Sequence, residues 1–278
     1  MLTVPDFTCK THQIDWMIKN KSMLIAQKKA TIKHADAFSG ATYYILDDNG
    51  PAILNKADAI PATAKKIKVR SIVNTTKLFD SHGDVHIDQL WNKNIKDQKE
   101  NYLVKQHQFD FDGIISDNVH VHTKQIPWHE LGYNYEGKTQ ALIYDSIIDR
   151  DDMPDSTKSM FDKYRMGKVK QHSVGMRYVA LSFAVNDDRY PDEFATWEKY
   201  FDEIANKDDA LENGFFWAVT IAKNIEGSAV VKGSNYATPT LDVEEKHEPE
   251  PAKSIPGEPA KSIRVNVSEL INFYNPKI

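Results

Sequence analysis

Ser173 lies in a sequence context that suits a nucleophilic serine. It follows Gln171-His172 and precedes Val174-Gly175, so that a small residue two positions on leaves room for a substrate at the hydroxyl. A free serine hydroxyl is a poor nucleophile and requires a base, usually histidine, which is in turn oriented by an acid. Residues that favour strands continue downstream and predict a rigid strand: Met176, Tyr178, Val179, Leu181 and Phe183.

His107, in the segment Val104-Lys105-Gln106-His107, is the candidate base. The chain holds 10 histidines, so a single one carries little information, and a core histidine bonded to the backbone is the alternative. A short predicted strand at 102–104 leads into His107. His172 is adjacent to Ser173 and would point to the opposite face of a strand, which indicates a structural or substrate-facing role.

Composition places the chain among ordinary soluble proteins. Its 278 residues are 41% hydrophobic and 27% charged, and the net charge of −5 offers no basic surface for nucleic acid. The single cysteine, Cys9, allows no disulfide within the chain. No apolar run approaches the roughly 18 residues of a membrane span, and the first residues lack the pattern of a signal peptide. We expect an intracellular protein with no nucleic-acid or membrane partner and no cofactor.

Strand patterns are more frequent than helix patterns along the chain. Strands are predicted at 43–46, 66–73, 140–148, 169–183, 215–221 and 225–231. Helices are predicted at 87–95, from Pro154 to Gly167, and at 190–212. This order predicts a β-barrel or α+β core.

The C-terminal part has a different composition. Glu-Pro-Ala-Lys-Ser-Ile occurs at 250–255 and again at 258–263, and almost nothing between 242 and 263 can be buried. We therefore predict a core at 66–241, a disordered Pro/Glu/Lys linker at 242–263 and a short docking segment at 264–278. Residues 1–65 are an N-terminal extension to which the sequence assigns no role.

Four segments, taken in order, resemble the prohead (capsid-maturation) serine proteases of tailed phages, which are relatives of the herpesvirus assemblin proteases. Asp80-Ser-His-Gly-Asp84 is similar to the early D-x-H-G-D turn of that family, and Val104–His107 resembles the segment with its catalytic histidine. His172–Gly175 resembles the nucleophile segment, and Ile225–Val230 resembles a later E-x-S-x-V strand. The match covers residues 66–240.

The resemblance implies a mainly antiparallel β-barrel core flanked by helices, with His107, Ser173 and Glu226 as the catalytic triad. Asp145 and Asp149 are the other candidates for the acid. Herpesvirus relatives use a second histidine in this place, but only His247, in the predicted linker, follows Ser173 here. The long interval between Ser173 and Glu226, with the helical stretch 190–212, departs from the family.

The same resemblance implies a serine endopeptidase that acts inside the immature phage prohead in the host cytoplasm. It would cleave the scaffold protein and the major capsid protein, and also itself. The C-terminal segment would contact the shell or the portal, and the aromatic helix at 194–204 is either a packing face or a dimer or regulatory element. The alternative is a non-catalytic scaffold or capsid-assembly module that retains the fold.

A metal site is the third hypothesis. Alternate residues of a strand point to the same face, so His120 and His122 could share a zinc ion, and a metal-dependent hydrolase would use them with His107. The spacing places neither a third nor a fourth ligand, and we expect no metal. The acids between Asp80 and Asp88 are better explained as a turn, which Gly83 permits, and as caps of the following helix.

Overall fold

The computed structural model describes residues 5–33 and 60–246. These residues form six α-helices: α1 Lys10–Lys19, α2 Lys21–Ala30, α3 Asn92–Asp97, α4 Lys158–Arg165, α5 Pro191–Phe201 and α6 Lys207–Asn213. They also form nine strands: β1 Lys66–Thr75, β2 Asp84–His86, β3 Leu103–Lys105, β4 Ile114–Ser116, β5 Asn118–Pro127, β6 Lys138–Asp149, β7 Gln171–Val185, β8 Phe215–Val230 and β9 Thr240–Glu245. The predicted strand at 43–46, the linker beyond residue 246 and the C-terminal segment lie outside the described residues.

Two sheets form the framework. The first has the order β5-β6-β1-β9, and each of its pairs is antiparallel. The second is organised around β8, which pairs antiparallel with β7 on one edge and parallel with β2 and β3 on the other, while β4 follows β3. The predicted α+β class with mainly antiparallel strands is confirmed.

The β8 strand differs from the prediction. We expected two strands separated at Lys223-Asn224, but Phe215–Val230 is one strand of 16 residues. The register shifts where Gly175 faces Glu226 and Met176 faces Asn224, so Ile225 is an extra residue that the pairing absorbs as a bulge. A bulge adds one residue to a strand without ending the strand. The polar residues Lys223 and Asn224 were therefore a misleading sign that the strand ends there.

Two other boundaries also differ. The predicted helix at 190–212 is two helices, α5 and α6, of which α5 begins with Pro191 at its first turn. The α3 helix begins only at Asn92, and no side chain caps it, so the acids of the preceding turn do not cap this helix. The β9 strand extends to Glu245, into the stretch expected to be linker, because it pairs with β1 up to Ile67.

The core lies between the sheets and under the helices. One cluster joins β6, β7 and β8 through Leu142, Val174 and Trp217, and Ile14 of α1 packs against it. A second cluster places Phe161 and Tyr164 of α4 against β1. No helix in the described ranges is long and apolar enough to cross a membrane.

Candidate active site

The β7–β8 hairpin brings two of the three proposed triad residues onto one face. Ser173 is paired with Ser228, and Gly175 with Glu226. Directly opposed residues in an antiparallel pair share a face, and so do residues two apart along a strand. Ser173, Gly175, Glu226 and Ser228 therefore point to the same side of the hairpin.

His107 reaches this face from a strained turn. The β3 strand runs parallel to β8, with Val104 opposite Ser228, and leads into a turn that the Gln108 N–H closes on the Lys105 carbonyl at 2.9 Å. Gln106 and His107 both have positive φ, 52° and 59°. Left-handed conformations cost non-glycine residues on the order of 1–3 kcal/mol each and persist where the surroundings impose them. Here the His107 N–H donates to Ser228 Oγ at 2.7 Å, which helps to hold the turn.

The His107 ring is bonded to Glu226. Nδ1 of His107 lies 2.6 Å from Oε1 of Glu226, and the two side chains are 7% and 0% exposed. Because an ionised carboxylate can only accept, the ring proton belongs on Nδ1, and the basic lone pair of a neutral ring belongs to Nε2. This is the arrangement by which an acid orients a histidine base.

Gly175 makes room for that acid. A Cβ at this position would lie 2.1 Å from Oε1 of Glu226 and 2.8 Å from its carboxyl carbon. The carboxylate therefore occupies the space that any other residue would fill with its side chain. The glycine that the sequence suggested as room for a substrate is, in the structure, room for Glu226.

Ser173 lies on the same face of the hairpin as this pair and forms no hydrogen bond with either side chain. Its residue is 6% exposed, and it lines a small cavity of about 10 Å³ together with His82, Lys33 and Asn235. No hydrogen bond joins its hydroxyl to another side chain of the described segments. Its cross-strand partner Ser228 carries the hydroxyl that holds His107 in place. The structure thus brings His107 and Glu226 into contact and places Ser173 on their face of the hairpin.

His172 lies on the opposite face, as strand alternation predicts. It is fully buried, and its Nε2 lies 2.9 Å from the Tyr164 hydroxyl. Burial lowers the pKa of His172 to about 4, because the charged imidazolium would lose its hydration. The ring therefore stays neutral and belongs to the packing between α4 and β7.

The two other candidate acids have different partners. Asp145 receives two hydrogen bonds from the Arg70 guanidinium, at 2.6 and 3.0 Å, and lies 3.3 Å from His122. Asp149 lies 3.1 Å from the Lys66 ammonium. Of the three proposed acids, Glu226 is the one in contact with His107.

The hypothetical zinc site with three histidines is not assembled. The rings of His120 and His122 do share a face and stack with centroids 5.6 Å apart, as predicted. Within the described ranges, however, the one group that brings three potential ligands within 4.8 Å of one another is Asp80, His82 and Asp84. His107 is not part of it.

The turn from Asp80 to Asp84 is built as the sequence predicted. Oδ1 of Asp80 accepts from the N–H groups of His82 and Asp84, at 2.8 and 3.0 Å, and Gly83 supplies a φ of 70°. Asp84 itself is engaged by lysine rather than left for a metal ion: both Lys28 and Lys33 form ion pairs with it. Burial favours its neutral form, but the two ammonium groups hold the pKa of Asp84 well below the ordinary value.

A chain of polar contacts extends from Asp84 into the core. The Tyr178 hydroxyl donates to Oδ2 of Asp84 at 2.8 Å and lies 3.2 Å from Nε2 of His86. Nδ1 of His86 is 2.8 Å from the side-chain amide of Asn74. Burial lowers the pKa of His86, so this ring is the neutral link between Tyr178 and Asn74. Sequence reasoning treated these residues as part of a turn and a strand and did not detect the network.

Sequence reasoning also missed the role of Ser228. Its position two residues after Glu226 is a detectable signal, since alternation on a strand puts both on one face. No protein-family model, no curated protein and no solved structure matches this chain.

Proposed function

We propose that the chain is a serine endopeptidase with Ser173 as nucleophile, His107 as base and Glu226 as the orienting acid. The observation that carries the proposal is the 2.6 Å contact between His107 Nδ1 and Glu226 Oε1, on the face of the hairpin that holds Ser173. The three residues come from three separate parts of the sequence. A buried carboxylate bonded to a histidine on a strained turn is costly to build, and such costs concentrate at functional sites.

In this mechanism the Ser173 hydroxyl adds to the carbonyl carbon of a peptide bond, and its proton passes to Nε2 of His107. Glu226 stabilises the imidazolium by its bond to Nδ1. The carbon–nitrogen bond then breaks, the amine leaves with the proton from His107, and an ester to Ser173 remains. A water molecule hydrolyses this ester by the same proton route, which restores the serine.

The wider role that we propose is maturation of a tailed-phage prohead. The scaffold protein and the major capsid protein would be the substrates, inside the immature particle, and the chain would also cleave itself. Support comes from the order of the four motifs, two of which supply His107 and Glu226 to one contact. The C-terminal segment would contact the shell or the portal.

We also propose that the two sheets form the β-barrel core that the resemblance to prohead proteases implies. The residues just before and within β9 bond to both sheets: the His172 N–H donates to the Thr238 carbonyl at 2.9 Å, and the Ile72 N–H donates to the Pro239 carbonyl at 3.0 Å. This stretch therefore links β7 to β1, as a strand closing a barrel would.

The second candidate function is a non-catalytic assembly module with the same fold. It is favoured by the burial of Ser173, which is 6% exposed, and by the absence of a hydrogen bond from its hydroxyl to another described residue. Triads without substrate are often loosely arranged, so a serine endopeptidase can also show this geometry.

Labelling with a fluorophosphonate probe, read by intact mass, tests the proposed nucleophile. The wild-type chain is expected to gain one adduct, which peptide mapping places on Ser173, and Ser173→Ala is expected to gain none. Ser182→Ala is the matched control, because Ser182 lies exposed on the same strand. An unlabelled wild type, or equal labelling of wild type and Ser173→Ala, would favour the assembly module.

The proposed substrates require a separate experiment. The chain is co-expressed with the major capsid protein and the scaffold protein of the same phage. These two proteins are expected to be truncated by the wild type and to stay full-length with Ser173→Ala. Identical masses in the two cultures would remove the maturation role.

A further inference from the structure

A cavity of about 480 Å³ lies between α3 and the middle of the β7–β8 hairpin, and we call it the α3 groove. Its wall and floor come from residues 93–98, 177–179 and 221–225. The Asn224 N–H donates to Oδ1 of Asn94 at 2.7 Å, which ties the hairpin to the helix. The Asn224 side chain donates to the Tyr144 hydroxyl in the core at 2.6 Å. Bonds within the chain therefore shape the groove before any ligand binds.

Three cationic side chains line the α3 groove: Lys93 of α3, Arg177 of β7 and Lys223 of β8. All three residues are exposed to solvent. Within residues 5–33 and 60–246, none of them forms an ion pair or a side-chain hydrogen bond. Asp97 is the one acid that lines the groove in these ranges, so three positive charges stand against one negative charge. The groove is therefore an electropositive site in a chain whose net charge is −5.

Two of these cations face each other across the hairpin. Arg177 is paired with Lys223, and directly opposed side chains of an antiparallel pair share a face, with Cβ atoms about 4.5–5.5 Å apart. Like charges in this arrangement destabilise a sheet. In the other sheet, by contrast, Arg70 stands opposite Asp145. The pairing of Arg177 with Lys223 is therefore unfavourable unless an anion binds between the two cations.

Two aliphatic side chains lie next to this pair of cations. Val179 follows Arg177 by two residues on β7, and Ile221 precedes Lys223 by two residues on β8. Val179 and Ile221 are 40% and 39% exposed, and both line the groove. Covering exposed aliphatic surface in a cavity is favourable for a ligand that can do so. The groove thus presents a cationic row and, beside it, an aliphatic row.

We propose that the α3 groove binds an acidic, extended segment of a partner protein in which an aliphatic residue stands two positions from a Glu or Asp. The carboxylate binds between Arg177 and Lys223 and relieves their repulsion. The aliphatic side chain covers Val179 and Ile221. The two rows are two residues apart along each strand, roughly 7 Å, which is also the distance between alternate side chains of an extended peptide. The site goes beyond the proposed function, because it involves none of the three triad residues.

Two features of the groove favour a peptide over a nucleic acid. The exposed Val179 and Ile221 offer no contact to a phosphate backbone, which binds through cations and hydrogen-bond donors. The carboxylate of Asp97 and the net charge of −5 would both repel a polyanion. A segment with few acids and with aliphatic residues between them matches both rows.

Peptide binding tests the inference. All titrations use the full-length chain with Ser173→Ala, so that no cleavage takes place, and anisotropy is recorded at low ionic strength because salt screens exposed ion pairs. The probe is a fluorescent peptide that repeats the motif, Gly-Glu-Ser-Leu-Gly-Glu-Ser-Leu-Gly. The same peptide with Gln in place of each Glu keeps the shape without the charge, and it is expected to bind at least about tenfold more weakly. A peptide with Ser in place of each Leu is expected to bind about fivefold more weakly.

Ser173→Ala/Lys223→Glu separates lost binding from lost folding. The new carboxylate stands opposite Arg177 and forms a favourable cross-strand pair, so the urea midpoint should not fall. Affinity for the acidic peptide should fall at least about tenfold, while affinity for the Gln peptide should not change. Ser173→Ala/Lys124→Met is the matched control, because Lys124 is an exposed strand lysine of the other sheet, and its affinity for the acidic peptide should equal that of Ser173→Ala.

Three results would overturn the inference. Equal affinity for the Glu and Gln peptides would remove the role of charge. An unchanged affinity in Ser173→Ala/Lys223→Glu would place the peptide elsewhere on the chain. A single-stranded oligonucleotide of the same length that binds more tightly than the acidic peptide would assign the groove to nucleic acid instead. None of these readouts requires cleavage, so they stand whether or not Ser173 is a nucleophile.

Discussion

Replacement of Gly175 by alanine isolates the contact between His107 and Glu226. The new Cβ would lie 2.1 Å from Oε1 of Glu226, whereas ordinary van der Waals contacts begin at 3.4 Å. Pairing on either side of this position prevents the two strands from moving apart. The oxygen itself must therefore move away by about 1.3 Å. A retreat of that size takes the 2.6 Å bond from His107 beyond the range of a hydrogen bond in most directions.

Two consequences are expected for Gly175→Ala. Overpacking a buried position costs about 1–3 kcal/mol, so the free energy of unfolding measured with urea should fall by about 2 kcal/mol. The rate at which a fluorophosphonate labels Ser173 should fall at least about a hundredfold, because a histidine base without its orienting acid loses most of its contribution. Both measurements use the same purified protein.

A double-mutant cycle with Glu226→Ala supplies the control. Gly175 has no positive φ, so alanine is compatible with its backbone, and once the glutamate side chain is gone the added methyl group meets no carboxylate. Gly175→Ala should therefore be close to neutral in the Glu226→Ala background, or slightly stabilising. An equal loss of stability in both backgrounds would show that the methyl group clashes with something other than Glu226, and would refute the close approach of Gly175 to the carboxylate.

Two further predictions concern the buried polar groups outside the triad. In the folded protein the pKa of His172 is lowered to about 4, while in the unfolded chain it is about 6.5, so only the unfolded state takes up the proton between these values. The free energy of unfolding should therefore fall as the pH is lowered from 6.5 to 4, by up to about 3 kcal/mol from this group. Denaturant curves of His172→Gln should lack this part of the loss. Parallel pH profiles of the two proteins would contradict the prediction. Asp84→Asn leaves the ammonium groups of Lys28 and Lys33 without their carboxylate, so it should lower the free energy of unfolding by about 3 kcal/mol. Part of this loss should be recovered in Asp84→Asn/Lys28→Met. If urea unfolding of Asp84→Asn gave the same free energy as the wild type, the pairing would be refuted.

The strands that the sequence predicted are those whose pattern is local. Alternation at 66–73 and the apolar run at 140–148 correspond to β1 and β6, which pair along most of their lengths. The turn at Asp80–Asp84 could also be predicted, because aspartate and glycine form such turns through contacts within five residues. The prediction was wrong at β8, because the strand continues through a bulge that forms only in its pairing with β7. The residues of β8 alone do not indicate that bulge.

The candidate site could be predicted as a set of residues but not as an arrangement. His107 and Glu226 are 119 positions apart, and their contact depends on the parallel pairing of β3 with β8. Nothing in the local sequence of either strand specifies that partner. The same holds for Lys33 and Asp84, which are joined only because an N-terminal segment adds to the edge of β7. The pairing of strands that are distant in sequence depends on how the whole core packs. It therefore cannot be predicted from the pattern of a single segment.

Several features that are unfavourable for stability occur together on this face of the hairpin. A fully buried glutamate, two consecutive left-handed residues and a glycine within a long strand each weaken a fold when taken alone. All of them meet at one contact: Gly175 admits the carboxylate, the turn at His107 directs the ring towards it, and Ser228 holds the turn. An apolar residue at position 226 would avoid the cost of burying a carboxylate at this contact. If our proposal holds, these features together orient a histidine base on the face of the hairpin that holds Ser173.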